Sequence, residues 1–148
     1  MHAWLPCQRA QNGKQNFIDT GGNQVMQRIF LKAKIHRARV TAACLDYEGS
    51  LSIDRNLMDQ ADIAEHEQVG VYNLSNGERF DTYALAGPEG SGEICLNGAA
   101  ARKGQPGDLI IITTYALLDK KELADHQPKV ILLDENNRSR PVVAMTSR

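Results

Sequence analysis

Four short stretches of the 148-residue chain carry side chains suited to chemistry. Leu45-Asp46-Tyr47-Glu48-Gly49-Ser50 ends in a hydroxyl placed directly after a residue with no Cβ. A serine hydroxyl is a weak nucleophile and an amide carbonyl a poor target unless both are held in an attack geometry. Glycine can take backbone conformations that open its carbonyl to such an attack. Asn76-Gly77-Glu78-Arg79-Phe80-Asp81-Thr82-Tyr83 offers three further groups. Arg79 is a planar fork for a carboxylate, Thr82 a hydroxyl donor, and Tyr83 a phenol that can act as a general acid. Lys34, in Lys34-Ile35-His36-Arg37-Ala38-Arg39-Val40-Thr41, adds a second positive charge. In Leu96-Asn97-Gly98-Ala99-Ala100-Ala101 the small side chains let main-chain groups approach a ligand closely. Taken singly, each stretch is ordinary. Gly49-Ser50 reads equally as a turn, Arg79 and Lys34 as solvated strand cations, and Tyr83 as a strand tyrosine with a wet hydroxyl.

More familiar signals are missing. There is no Walker loop and no Gly-x-Ser-x-Gly elbow, and no histidine is spaced to serve a serine. Gly87-Pro88-Glu89-Gly90-Ser91-Gly92 matches a dinucleotide fingerprint only in its number of glycines, and no helix follows, so it reads as a plain loop. The three cysteines (Cys7, Cys44, Cys95) form no Cys-x-x-Cys pair, and the four histidines lack ligand spacing, so no metal site and no disulfide are assigned. A formal net charge of −1 gives no field favouring nucleic acid or an anionic membrane. No apolar run is long enough to span a bilayer, and residues 1–25 lack a secretory h-region, so a cytoplasmic location is expected.

The elements that must position these groups are short. From Arg28 the chain alternates, with Ile29, Leu31, Ala33 and Ile35 on one face and Phe30, Lys32, Lys34 and His36 on the other, which predicts a strand. The alternation slips after Ile35, since Ala38 and Val40 share the face of Lys34, which predicts a bulge there. A strand at Leu51–Ile53 follows the Gly49-Ser50 turn. Asp54 then caps a short helix that carries Leu57, Met58 and Ala61 on one face. Val69 and Val71 begin a strand that returns through Phe80–Leu85 after a Ser75-Asn76-Gly77 turn. Further strands are predicted through Ile94 and Leu96, over Leu109–Tyr115, over Val130–Asp134 and over Val142–Met145, with a helical turn near 119–126. Many short strands, frequent turns and little helix point to a small closed β-barrel in one domain.

In order and spacing, the four stretches resemble the aspartate 1-decarboxylase family: Gly49-Ser50, then Arg79-Phe80-x-Thr82-Tyr83, then Asn97-Gly98-Ala99-Ala100-Ala101 ahead of Pro106-Gly107-Asp108. The resemblance runs from Met26 to the C-terminus. It implies a mainly β fold, a six-stranded double-psi β-barrel with short helices, assembled as a homotetramer with active sites between subunits. It implies removal of the α-carboxylate of L-aspartate to give β-alanine for pantothenate and coenzyme A synthesis. The cofactor it implies is a pyruvoyl group made from Ser50 when the precursor cuts itself between Gly49 and Ser50. That ketone then forms a Schiff base with the substrate, with no metal and no external cofactor. By the same resemblance Tyr83 is the proton donor, and Thr82 stabilises the oxyanion of cleavage and contacts substrate. Lys34, Arg79, Asn97, Gly98, Ala99 and Ala100 are the remaining substrate contacts, and Tyr47 also fits the pattern.

Two other readings stand beside this one. A barrel-type binding or regulatory module has the same kind of fold, but DNA binding calls for a basic stripe that this chain lacks. An uncut, inactive precursor differs from the enzyme only in processing. Residues 1–25 show no periodicity and are expected to be a disordered, dispensable extension read from an upstream start; residues 26–148 are expected to form the decarboxylase domain.

Overall fold

The computed structural model describes residues 26–140. The expectations for residues 1–25 and for a strand at Val142–Met145 lie outside the described residues. Nine strands form one mixed sheet: β1 (Arg28–Arg39), β2 (Ala42–Cys44), β3 (Leu51–Asp54), β4 (Gln68–Asn73), β5 (Arg79–Gly87), β6 (Ile94–Asn97), β7 (Leu109–Leu118), β8 (Lys129–Leu133) and β9 (Ser139–Arg140). Their spatial order is β2-β6-β3-β5-β4-β7-β1-β8-β9. One α-helix, α1 (Arg55–Ala61), and two 3-10 helices at Gly98–Lys103 and Glu122–Ala124 complete the elements. The chain is therefore mainly β with short helices. Among the described residues there are nine paired strands where the resemblance implies six, β2 and β9 being only three and two residues long.

The core lies on one face of this sheet. Ala33 and Ile35 of β1, Val69 and Val71 of β4, Leu51 and Ile53 of β3, and Ile110 and Ile112 of β7 are all fully buried. Each set is spaced by two, the period of a strand with one buried face. α1 closes part of the core with Leu57, Met58 and Ala61, and begins where Asp54 accepts the Asn56 amide at 2.9 Å. The same buried carboxylate accepts the amides of Gly90 (2.9 Å) and Gly92 (2.6 Å). One aspartate thus caps the helix and shapes the loop after β5, where Gly90 and Gly92 take positive φ.

β1 departs from simple alternation twice, not once. The expected slip after Ile35 is a bulge between His36 and Ala38, with Arg37 at φ 63°. A second bulge between Leu31 and Ala33 leaves Lys32 unpaired in the ladder. It reverses the face of everything before it. Ile29, expected on the buried face, pairs with Leu117 instead, and both are more than half exposed. The segment Ala42–Cys44 was read as part of no strand; it pairs in parallel with β6. Asn137, buried in the turn after β8, ties distant parts of the sheet together. Its side chain accepts the Arg39 amide at 2.7 Å and donates to the carbonyls of Arg39 and Gly92, each at 2.8 Å.

Candidate active site

The Asp46–Ser50 segment links β2 to β3 and lies against the end of β6. Gly49 has φ 132°, a conformation that side chains rarely adopt, and a Cβ there would come within 2.5 Å of Leu85. Gly98 is constrained chiefly by its backbone angle. At φ 56°, its missing Cβ would sit 3.4 Å from the carbonyl oxygens of both Gly49 and Tyr47. Two glycines therefore let two backbone segments meet, with the Gly49 carbonyl on the contact. The Asn97 amide donates to the Ser50 carbonyl at 2.9 Å and fixes this approach.

Asn97 is fully interior. Its amide group donates to Ser52 Oγ at 3.0 Å, and its carbonyl accepts the Cys95 thiol at 3.1 Å. Its main chain, rather than its side chain, is what bonds to the Ser50 peptide. Beyond it Gly98 is half-buried, Ala99 exposed and Ala100 buried. Tyr47 is largely exposed beside Gly49.

Tyr83 approaches the same turn from β5. The parallel register pairs Leu51 with Ala84, the residue after Tyr83, and Ser50 is the residue just before β3. Tyr83 is partly exposed, with its ring 6.3 Å from that of His66. Thr82 pairs with the buried Val69, on the core-facing side of β5. It therefore points away from the side that Tyr83 occupies.

Lys34 and Arg79 belong to a different region. Lys34 pairs with Thr113, Thr113 with Gly70 and Gly70 with Asp81, a row across β1, β7, β4 and β5. The next row is His36, Ile111, Tyr72 and Arg79. Both rows lie on the sheet face opposite the core. The Arg79 guanidinium stacks over the Tyr72 ring, 4.2 Å from its centroid. The Tyr72 and Tyr115 hydroxyls are 2.9 Å apart. Gly70 makes room for this cluster, because a Cβ there would be 2.9 Å from Thr113 Oγ1 and 3.0 Å from the Tyr72 hydroxyl.

The charges on this face act on its titratable groups. The Tyr72 phenol is pulled below its ordinary range, first by hydrogen bonding with Thr113, then with Tyr115, and further by Arg79, against the effect of burial. Tyr115 is pushed up, chiefly by its bond with Tyr72. His36 is lowered by burial first and then by the charges of Lys34 and Arg37. Among the described residues its Nδ1 is a buried atom with no hydrogen-bond partner, and neither Lys34 nor Arg79 forms an ion pair.

The structure thus brings Gly49, Ser50, Tyr83, Asn97 and Gly98 together, and sets Lys34 and Arg79 apart from them. Arg79 and Tyr83 are four residues apart on one strand, about 13 Å along it. Arg79 is also stacked across the sheet toward β4. Among the described residues no hydrogen bond or ion pair joins Lys34 or Arg79 to the Asp46–Ser50 segment, and no cluster of His, Cys, Asp and Glu has the makings of a metal site. Sequence reading missed Tyr72, Thr113 and Tyr115. Their alternation along β4 and β7 was visible, but which rows coincide with Lys34 and Arg79 depends on register. It also missed the proximity of Cys44 and Cys95, 51 residues apart in the chain and 4.0 Å apart at sulfur.

The fold is mainly β, and comparison with known proteins makes the chain a carboxy-lyase. The family profile that matches is that of aspartate decarboxylase, over residues 26–140. The chain belongs to the aspartate decarboxylase family. Over 113 residues it is 68% identical to the aspartate 1-decarboxylase of Syntrophobacter fumaroxidans, covering 76% of this chain and 91% of that protein. The protein of the same description from Shouchella clausii is 58% identical over 113 residues, 76% of this chain and 89% of its own length. The one from Ralstonia pickettii is 56% identical over 117 residues, covering 79% and 98%. No helix among the described residues is long and apolar enough to cross a membrane.

Proposed function

We propose that this chain is the precursor of a pyruvoyl-dependent enzyme that converts L-aspartate to β-alanine and carbon dioxide, cutting itself between Gly49 and Ser50. The observation that carries the reading is the Gly49 carbonyl, which lies on a glycine-to-glycine contact with Gly98 and directly precedes the only serine of that turn. Attack by the Ser50 hydroxyl on this carbonyl converts the peptide to an ester. Elimination from the Ser50 residue frees the Gly49 carboxylate, and hydrolysis releases ammonia and leaves a ketone at the new terminus. The segment fits such a group: Gly49 and Gly98 supply space that any Cβ would fill, and the Asn97 amide holds the Ser50 carbonyl. The pyruvoyl group supplies an electron sink for the decarboxylation.

This chain's own residues do the rest. Tyr83, the residue before the Leu51 partner Ala84, delivers a proton to the substrate Cα. The backbone at Gly98, Ala99 and Ala100 borders the substrate. Thr82 faces the other side of its strand, so its role in cleavage requires its hydroxyl to reach the turn around the β5 backbone. Lys34 and Arg79 hold substrate carboxylate from a neighbouring copy in a homotetramer. Supporting this are their separation from the turn and the absence of ion-pair partners among the described residues. We further infer that the sheet closes as a double-psi barrel. The Asn137 bond to the Gly92 carbonyl supports closure, since it links the β8–β9 turn to the segment before β6.

Intact-mass measurement of the purified full-length protein tests the reading. It should give chains 1–49 and 50–148, the larger one lighter by the mass of ammonia than a free seryl chain. Ser50→Ala should give one uncut chain with no decarboxylase activity. A cut or active Ser50→Ala protein would contradict the mechanism.

A further inference from the structure

We propose that Cys44 and Cys95 form an oxidisable dithiol at the cleavage turn, which accepts the oxidising equivalents of a low-molecular-weight disulfide and thereby slows self-cleavage. The parallel register of β2 and β6 pairs Ala42 with Cys95 and Cys44 with Asn97. The two thiols therefore lie diagonally on one side of neighbouring strands, their sulfurs 4.0 Å apart. A disulfide needs about 2.05 Å, so one sulfur must move by roughly 2 Å. β2 is the side that can yield. It is the three-residue end strand of the sheet, paired along one edge only and not buried.

The two cysteines differ in the way an exchange reaction requires. Cys44 is exposed and Cys95 buried. The Cys44 thiolate attacks one sulfur of the external disulfide, whose S–S bond breaks and releases one thiolate. Cys95 then gives its proton to solvent and attacks the Cys44 sulfur, releasing the second thiolate. Two protein thiols are oxidised and one small disulfide is reduced to two thiols. The Cys95 thiol is pushed up to about 11, by burial first, then by its bond with and the charge of Cys44, and by the charge of Glu93. At ring closure the Cys44 sulfur is bound in the mixed disulfide, so burial and the Glu93 charge are what still hold the Cys95 thiol up, and closure accelerates as pH rises.

Cys95 reaches the turn through Asn97, and Cys44 through the chain that follows it. The Cys95 thiol donates to Asn97 Oδ1 at 3.1 Å, and the Asn97 amide holds the Ser50 carbonyl. Oxidation removes that thiol proton. Cys44 leads within six residues to Ser50, so drawing its sulfur inward pulls on the segment that presents the Gly49 carbonyl. The bond also spans the cleavage point, with Cys44 upstream and Cys95 downstream of Gly49-Ser50. Cut chains stay covalently joined in the oxidised protein. The effect on cleavage rests on the proposed processing site; formation of the disulfide does not.

The test uses full-length precursor in reduced or oxidised glutathione, with thiol trapping, peptide mapping and timed intact masses. A Cys44–Cys95 peptide lacking two hydrogens is expected. Its rate of formation should rise from pH 7 to 9, following the thiolate fraction. Oxidised precursor should cleave severalfold more slowly than reduced, whereas Cys44→Ser should cleave at one rate in both buffers. A stable glutathione adduct on Cys44 without ring closure, or pairing of Cys44 with Cys7, would overturn the dithiol. A Cys44–Cys95 bond with unchanged cleavage would overturn its coupling to the turn. Absence of cleavage in either buffer would refute the Gly49-Ser50 site, while the mapped peptides would still decide the disulfide.

Discussion

The turn around Gly49 and the open face around Arg79 are built on opposite plans. At the turn the decisive groups are backbone: two glycine positions, one carbonyl and one amide donor, packed against interior residues. On the open face they are long side chains, with a stacked guanidinium, paired phenols and a lysine directed away from the core. Backbone geometry held by the core is available as soon as one chain has folded. Cations on an open sheet face become specific only when something covers them, because exposed charges are screened and bind weakly. The proposed reading therefore makes self-cleavage a property of the single chain and substrate recognition a property of the assembly.

The largest effects should come from breaking the turn. Gly98→Ala would place a Cβ against two carbonyl oxygens in a left-handed conformation, and cleavage should fall sharply in a timed intact-mass assay while the fold persists by circular dichroism. Unchanged cleavage would show that the glycine contact is incidental. Next in size is Tyr83→Phe. It should process normally but lose about 10²–10⁴-fold in turnover, the usual worth of general acid catalysis. A block in cleavage would assign the phenol to the turn's own chemistry instead.

On the open face, Arg79→Lys keeps the charge but loses the fork and the stack on Tyr72. Apparent substrate affinity of processed protein should weaken by about 1–3 kcal/mol. No change would leave Arg79 a solvated strand residue. The smallest effect is that of His36. Its folded pKa is lowered, so the unfolded chain takes up this proton first as the solution becomes acidic. Its contribution to stability is complete above the ordinary imidazole range and is lost as pH falls through that range toward the folded value. His36→Gln should flatten this part of a denaturation-versus-pH curve. An identical slope would mean that the burial and the neighbouring charges do not act on the ring.

What was legible in the sequence follows the same division. Asp54 as a helix cap, with Leu57, Met58 and Ala61 beneath it, could be read because cap and helix face are local patterns. The four stretches were legible as ordered motifs of the family, and Gly49, Ser50, Asn97 and Gly98 do lie together. Ile29 was misplaced because a one-residue bulge at Lys32 leaves little trace in composition yet inverts every residue before it. β2 was missed because three residues show no period. Tyr72, Thr113 and Tyr115 join Lys34 and Arg79 only through the register of β1, β7, β4 and β5, a nonlocal property that no single segment encodes.

The central claim, that one copy's turn works with another copy's cationic face, is tested most directly by complementation. Ser50→Ala subunits retain Lys34 and Arg79 but lack the processed terminus, whereas Arg79→Ala subunits retain the turn. Each alone should be inactive or nearly so. Mixed oligomers purified from co-expression, with two tags to prove their composition, should recover decarboxylation of L-aspartate. Mixed oligomers no more active than the sum of the two parent proteins would contradict the account and confine each active site to a single chain.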